Sequence, residues 1–230
     1  MPYGSRPSGL PKKIPAWAWK WLKWRNRKPA PKPNPTPAPG PTPAPVPVPK
    51  PKPKPKPKPV TMFMFDDVNV SLIPKDAQAV AGYVDGHYRT WLKVRAGWPR
   101  AKKLMIAVFA QDNGDCLDVE PGDASIIQAP AWVKRQLANW SKSKHDVARP
   151  VVYTSASQMQ SLVNTMSKAG LKYGQDYLLW SAHYNPALGR HLCSPKCGFG
   201  IKVTAHATQY TDHALGRSLD ESLCSPGFFK

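Results

Sequence analysis

Residues 61–230 predict an α/β barrel, on the strength of two patterns. Short apolar runs alternate with helical patterns, which implies a parallel sheet, either open or closed on itself. Polar groups then recur at the C-terminal ends of the apolar runs: Asp66 and Asp67, Asp85, Asp118 and Glu120, Tyr153 and Thr154, His183 and Tyr184, Gln209 and Tyr210. A (β/α) barrel gathers such residues on one rim, whereas an open sheet has no need of carboxylates on three separate strand ends. The closed form is therefore expected. The segment holds about 170 residues, which suits one domain with a sizeable core.

Taken in order, the strands are expected at Met62–Val70, Ala81–Asp85, Leu104–Ala110, Cys116–Glu120, Val151–Ser155, Tyr177–Tyr184 and Ala205–Thr211. Helical periodicity falls at Tyr88–Ala96, Ala129–Ser141 and Ser157–Ala169, with Pro130 in the first turn of the second. That makes seven strands and no clear eighth.

The fourth of these strands carries the chemistry. Asp118 and Glu120 are two residues apart, so in a strand they share a face, with Cα atoms roughly 6.6 Å apart. Pro121 and Gly122 end the strand and leave both acids at its C-terminal end. Cleavage of a glycosidic bond asks for such a pair, one acid as proton donor and one as charge stabiliser. Acids at strand ends also simply face solvent or cap a following helix, so the pair alone does not decide the matter. Cys116 shares their face and is expected inside the barrel, as a small buried hydrophobe rather than a catalytic thiol.

Several segments together resemble a known family. Phe65-Asp66-Asp67-Val68-Asn69-Val70-Ser71, Asp118-Val119-Glu120, Pro150-Val151-Val152-Tyr153-Thr154-Ser155, Leu179-Trp180-Ser181-Ala182-His183-Tyr184, Thr208-Gln209-Tyr210 and Leu219-Asp220 follow in the order of glycoside hydrolase family 25 lysozymes. The phrases Ile73-Pro74, Val80-Ala81-Gly82-Tyr83-Val84-Asp85-Gly86 and Cys116-Leu117-Asp118-Val119-Glu120 look closer still to the related glycoside-hydrolase-like domains of actinobacteria and their phages. The resemblance spans roughly residues 62–224. It implies a modified, TIM-like (β/α) barrel that hydrolyses the β-1,4 bond between N-acetylmuramic acid and N-acetylglucosamine in peptidoglycan. By the same resemblance Glu120 is the general acid. Asp118 positions or stabilises the substrate acetamido group acting as internal nucleophile, a substrate-assisted scheme. Either Asp66 or Asp67 is the first-strand acid; alternation puts them on opposite faces, and the related domains favour Asp66. Tyr153, Trp180, Tyr184 and Gln209 would line the cleft, aromatic faces stacking on sugar rings, although each could equally be barrel packing. Asp67 and Asp85 are further candidate site acids, Asp85 being also readable as a strand-end cap. The same barrel without turnover would be a wall-binding module or a structural part of a phage particle.

Ahead of the barrel the composition changes abruptly. Fourteen of the 33 Lys and Arg residues, and no acid, lie in residues 1–60; the remaining 19 cations face all 14 acids, leaving the barrel segment at +5 of the total +19. From Pro29 to Pro59 every odd position is proline, 16 in 31 residues. This alternation favours polyproline II and defines a semi-rigid linker over 29–60, up to roughly 95 Å long at about 3.1 Å per residue. Residues 1–28 form a basic arm, with Trp17, Trp21 and Trp24 spaced to share one helical face among lysines and arginines. Tryptophan interleaved with cations over residues 12–28 fits an anionic membrane or wall surface or a docking helix on a partner protein. Nucleic acid, on whose bases tryptophan also stacks, ranks behind both.

No run approaches the ~20 apolar residues of a membrane span, and Lys20 and Lys23 break the apolar stretch that a secretory leader would need. A wall, extracellular or phage-associated location would therefore rest on another export route. Cys193 and Cys197 bracket three residues, a spacing that permits a local disulfide outside the cell. His191 and His206 offer a zinc alternative with these thiols, but Cys-x3-Cys matches the usual zinc spacings poorly. A disulfide is the expectation there, with no metal and no cofactor.

Overall fold

The computed structural model describes residues 61–230; the expectations for the basic arm and the proline linker lie outside the described residues. Eight strands close into a barrel in sequence order: β1 (Met62–Asp66), β2 (Ala79–Tyr83), β3 (Lys102–Ala107), β4 (Cys116–Asp118), β5 (Val151–Ser155), β6 (Leu178–Ala182), β7 (Ala207–Thr211) and β8 (Asp220–Cys224). Strands β1 to β7 are parallel neighbours, and β8 runs antiparallel to both β7 and β1. Three α-helices lie among the described residues: α1 (Trp91–Gly97) after β2, α2 (Ala129–Asn139) after β4 and α3 (Ala156–Lys168) after β5.

The expected barrel is present, and the strand count is corrected from seven to eight. Strand β8 reads Asp-Glu-Ser-Leu-Cys, and its inward positions Asp220 and Ser222 are polar, so it lacks the apolar alternation that marks the others. It pairs fully with β1 all the same, from Met62 opposite Cys224 to Asp66 opposite Asp220. The strand ends also shift. The first strand stops at Asp66 rather than Val70 because side chains in the next residues capture the backbone: Asp67 Oδ1 accepts from the Asn69 N–H, and Asn69 Oδ1 accepts from Ser71 N–H and Oγ. Strands β3, β4 and β6 likewise end earlier than the apolar pattern suggests, at Ala107, Asp118 and Ala182.

Inward-facing side chains fill the barrel, among them Met64, Ala81, Leu104, Ile106, Cys116 and Trp180. Cys116 is fully buried, as its place on the Asp118 face requires. Beneath them Val147, Phe228 and Phe229 join the same cluster, and Lys230 N–H donates to Asp146 O, so the C-terminal residues close the end where the parallel strands begin. Outward-facing residues of β4–β6 pack under α2 and α3 around Trp132, Met159, Leu162 and Leu179. Those of β1 and β2 pack under α1 around Phe65, Val80 and Val94. With the far end plugged and the flanks covered, the C-terminal mouth is where side chains can meet a ligand. Among the described residues, no helix is long and apolar enough to cross a membrane.

Candidate active site at the barrel mouth

Four carboxylic acids converge at the mouth. Asp66 ends β1, Asp220 begins β8 directly opposite it, Asp118 ends β4, and Glu120 follows two residues later. The antiparallel register puts Asp66 and Asp220 on the same face, where like charges repel. Asp66 and Asp118 are 3% and 5% exposed, and the Oδ1 atom of each is buried without a hydrogen-bond partner. None of the ion pairs among the described residues involves these four acids. A buried carboxyl lacking both a cation and a full set of donors holds its proton.

The electrostatics follow from that burial. Asp118 is pushed up to about 8, first by desolvation and then by the neighbouring charges of Glu120, Asp123 and Asp85. Asp66 is driven well above the usual carboxylate range by burial and then by Asp220, Asp118 and Asp67. Asp220 rises to about 6, again chiefly through burial. Glu120, less enclosed, is raised by desolvation and by Asp123. Tyr83 at the end of β2 is raised well above its usual value by burial and by all four acids, which places its hydroxyl among them.

The wall of the mouth beyond Asp118 is aromatic. Tyr153, next to Asp118 across the β4–β5 register, donates its hydroxyl to Gln209 Oε1 at 2.6 Å, and its ring lies 4.6 Å from that of Trp180. Trp180 is 2% exposed and donates Nε1–H to Ser222 Oγ at 3.0 Å, so it supports the mouth from below rather than offering a free face. Tyr184 is half-exposed at the rim, and burial followed by the charges of Asp220 and Asp66 raises its hydroxyl. Beside Glu120 a cleft of about 410 Å³ runs along Pro121, Asp123, Ile126, Ile127 and Gln158.

Among the expected site residues, the structure brings together Asp66, Asp118 and Glu120, with Tyr153, Gln209 and Tyr184 around them. Asp67 and Asp85 are engaged with backbone. Asp67 is bound into the turn after β1, and Asp85 accepts from the Val108 and Phe109 N–H groups at 2.8 and 3.1 Å, tying the end of β3 to the loop after β2. Asp85 reaches the site through its charge, which acts on Asp118 and Asp123. Sequence reasoning missed Tyr83 and Asp220 as members of the cluster. Asp220 stood in the Leu219-Asp220 segment of the resemblance, which was the available signal, but on a strand without apolar alternation; Tyr83 ends the Ala-Val-Ala-Gly-Tyr strand, where its inward register was the available signal.

The expected disulfide is not formed: all four cysteines are free thiols. The His206 imidazole is engaged elsewhere, its Nδ1 accepting from the Leu179 N–H on the flank of β6. A different set, His183, His191 and Cys197, has ligand atoms within 4.8 Å of one another.

No family model, curated protein or solved structure matches this chain. The reading of the site therefore rests on its chemistry. It offers raised carboxyls, none of them paired with a cation among the described residues, and a polar aromatic rim, which suits acid catalysis on an uncharged polyhydroxylated substrate better than binding of an anion.

Proposed function

We propose that this protein is a peptidoglycan hydrolase of the N-acetylmuramidase type, working on a modified TIM-like barrel related to that of the family 25 lysozymes. The observation that carries the reading is the Asp118 and Glu120 pair at the end of β4, both raised and differently enclosed. Glu120, the more accessible, reaches the cleft and donates its proton to the glycosidic oxygen. Asp118, deeper, stands where the acetamido group of the sugar would attack the anomeric carbon. Both carboxyls are raised above their ordinary range, Asp118 to about 8; for this chemistry Asp118 releases its proton to solvent and Glu120 keeps its own for the glycosidic oxygen. Positive charge developing on the sugar ring and its acetamido group supplies the counter-charge that the Asp118 carboxylate otherwise lacks. Asp66 and Asp220 keep the floor of the mouth acidic. The Tyr153–Gln209 pair and Tyr184 orient the sugar through hydroxyls and ring faces.

Release of reducing ends from purified actinobacterial peptidoglycan tests this directly. The intact chain is expected to release them, and Glu120→Gln to lower the rate by about 10²–10⁴-fold, the usual worth of a positioned acid. No release by the intact chain, while it still pellets with the wall, would make it a wall-binding module instead.

A further inference from the structure

Residues 183–206, between β6 and β7, form the longest stretch among the described residues without α-helix or strand, relieved only by a 3-10 turn at Pro195–Cys197. Helices follow β4 and β5 on the neighbouring flank; here an irregular loop follows β6. Cys193, Ile201 and Ala205 join the cluster under α2 and α3, and Cys197 and Val203 pack against it. A loop of this length in a compact domain is uncommon unless something fixes it.

Three side chains in it converge. His183 follows Ala182 and so turns outward, away from the mouth; its backbone N–H still donates to Gln209 O at 2.9 Å, which fixes its position. Its Nδ1 lies 2.9 Å from His191 Nε2. The other ring nitrogen of His191, Nδ1, is 2.8 Å from the Gly189 carbonyl. A carbonyl only accepts, so His191 carries its proton on Nδ1 and directs the Nε2 lone pair at His183. Orientation of one ring nitrogen by a backbone carbonyl is how metal-binding histidines are held. The third group is Cys197, whose sulfur accepts from the Ser194 N–H at 3.4 Å, which fixes its position in the loop. Beyond it Gly198, Phe199 and Gly200 all have positive φ (85°, 60° and 66°), and Phe199 is not a glycine. This strained reversal presents Cys197 toward the histidines. The Phe199 ring meets His183 edge-on at 5.3 Å and covers one side of the group.

We propose that His183 Nδ1, His191 Nε2 and Cys197 Sγ bind one borderline divalent cation of the Zn²⁺ type, with water in the fourth position, and that this ion pins the β6–β7 loop to the barrel. A tetrahedral zinc ion sets its nitrogen ligands about 3.3 Å apart and nitrogen and sulfur about 3.6 Å apart. The three atoms, all within 4.8 Å, need only small shifts to meet that geometry. On binding, the Cys197 thiol loses its proton to solvent, and the His183 ring proton moves from Nδ1 to Nε2, freeing Nδ1 for the metal. Two imidazoles and a thiolate select zinc-like ions over Mg²⁺ or Ca²⁺. The site lies outside the barrel mouth and does not depend on the hydrolase reading.

The test uses the full chain, reduced and metal-free, titrated with Co²⁺ as a spectroscopic stand-in. One equivalent should produce a thiolate-to-cobalt charge-transfer band and tetrahedral ligand-field bands, both removed by Zn²⁺. Cys197→Ser should abolish the charge-transfer band. His191→Ala, at a half-buried position, should weaken binding by about tenfold or more with an unchanged circular dichroism spectrum. Cys193→Ser should leave the band in place. Absence of the band in the intact chain, its persistence in Cys197→Ser, or its loss only in Cys193→Ser would overturn the proposal. So would formation of a Cys193–Cys197 disulfide in zinc-loaded protein.

Discussion

Asp118 sits at the inward end of β4 with one carboxyl oxygen buried and unpartnered, and its proton comes off only near pH 8. In the unfolded chain the same group ionises near its ordinary value of 3.8. Between those values the fold binds a proton that the unfolded chain does not, so this residue's contribution to stability is greatest below pH 4. It declines as pH rises from about 4 to about 8 and is level above that. At pH 7 the burial costs up to about 4 kcal/mol. Asp118→Asn removes the ionisation and is therefore expected to raise the Tm at pH 7 and to flatten the Tm–pH curve between 4 and 8, while reducing hydrolysis. A steeper curve in the variant would refute the assignment. Because Glu120 is the largest charge acting on Asp118, Glu120→Gln should lower the Asp118 midpoint in a carboxyl ¹³C NMR titration; an unmoved midpoint would separate the two groups. At this scale much was legible. Alternation put Asp66 and Asp67 on opposite faces, the resemblance favoured Asp66, and Asp66 is the one that is buried. The protonation states were not legible, because they depend on which strands stand opposite.

Close approach of α1 to the barrel is set by one glycine. A Cβ on Gly82 would lie 2.8 Å from Val94 Cγ2 and 3.3 Å from Thr90 Oγ1, the oxygen that accepts from Tyr83 N–H. Gly82→Ala should therefore cost about 1–3 kcal/mol and lower the Tm by several degrees, and it should disturb Tyr83 at the mouth. Gly97, at the end of the same helix, has only the flexible Lys75 Nζ at 4.0 Å and no positive φ. Gly97→Ala is expected to be neutral or stabilising by about 0.5–1 kcal/mol. Thermal denaturation of both variants checks the contrast. Among the elements, α2 and α3 lie within two residues of their expected ends, because long amphipathic stretches with a buried face signal themselves. Strand β8 escaped because its inward side chains serve the polar mouth, where Ser222 accepts from Trp180 and Asp220 faces Asp66. Residues recruited to a site lose the apolar pattern by which strands are read.

The molecule divides its charge unevenly: the described barrel segment is +5 and its mouth is acidic, while residues 1–60 carry cations without acids. The barrel encloses its own core and its own plug at Phe228 and Phe229. Deletion of residues 1–60 is therefore expected to leave its Tm and its hydrolysis of soluble wall fragments unchanged. The same deletion should abolish retention on anionic vesicles or intact wall, with an effect that shrinks as salt rises. Cosedimentation at low and high salt measures this, and unchanged retention would remove the anchoring role of the arm.

Local pattern sufficed for much of the protein. Alternating apolar runs, helix periodicity and proline punctuation act over a few residues, so they announced the α/β class, seven of eight strands and the Asp118–Glu120 pair. Closure of the barrel by an antiparallel β8 was decided only in three dimensions, and with it the pairing of Asp220 with Asp66. So was the diversion of Asp67 and Asp85 into backbone hydrogen bonds. The partners of Cys197 likewise come from 6 and 14 residues away, through a loop whose path no periodicity describes. Burial and like charge are properties of neighbours across the barrel, and these neighbours hold the protons on Asp66 and Asp118.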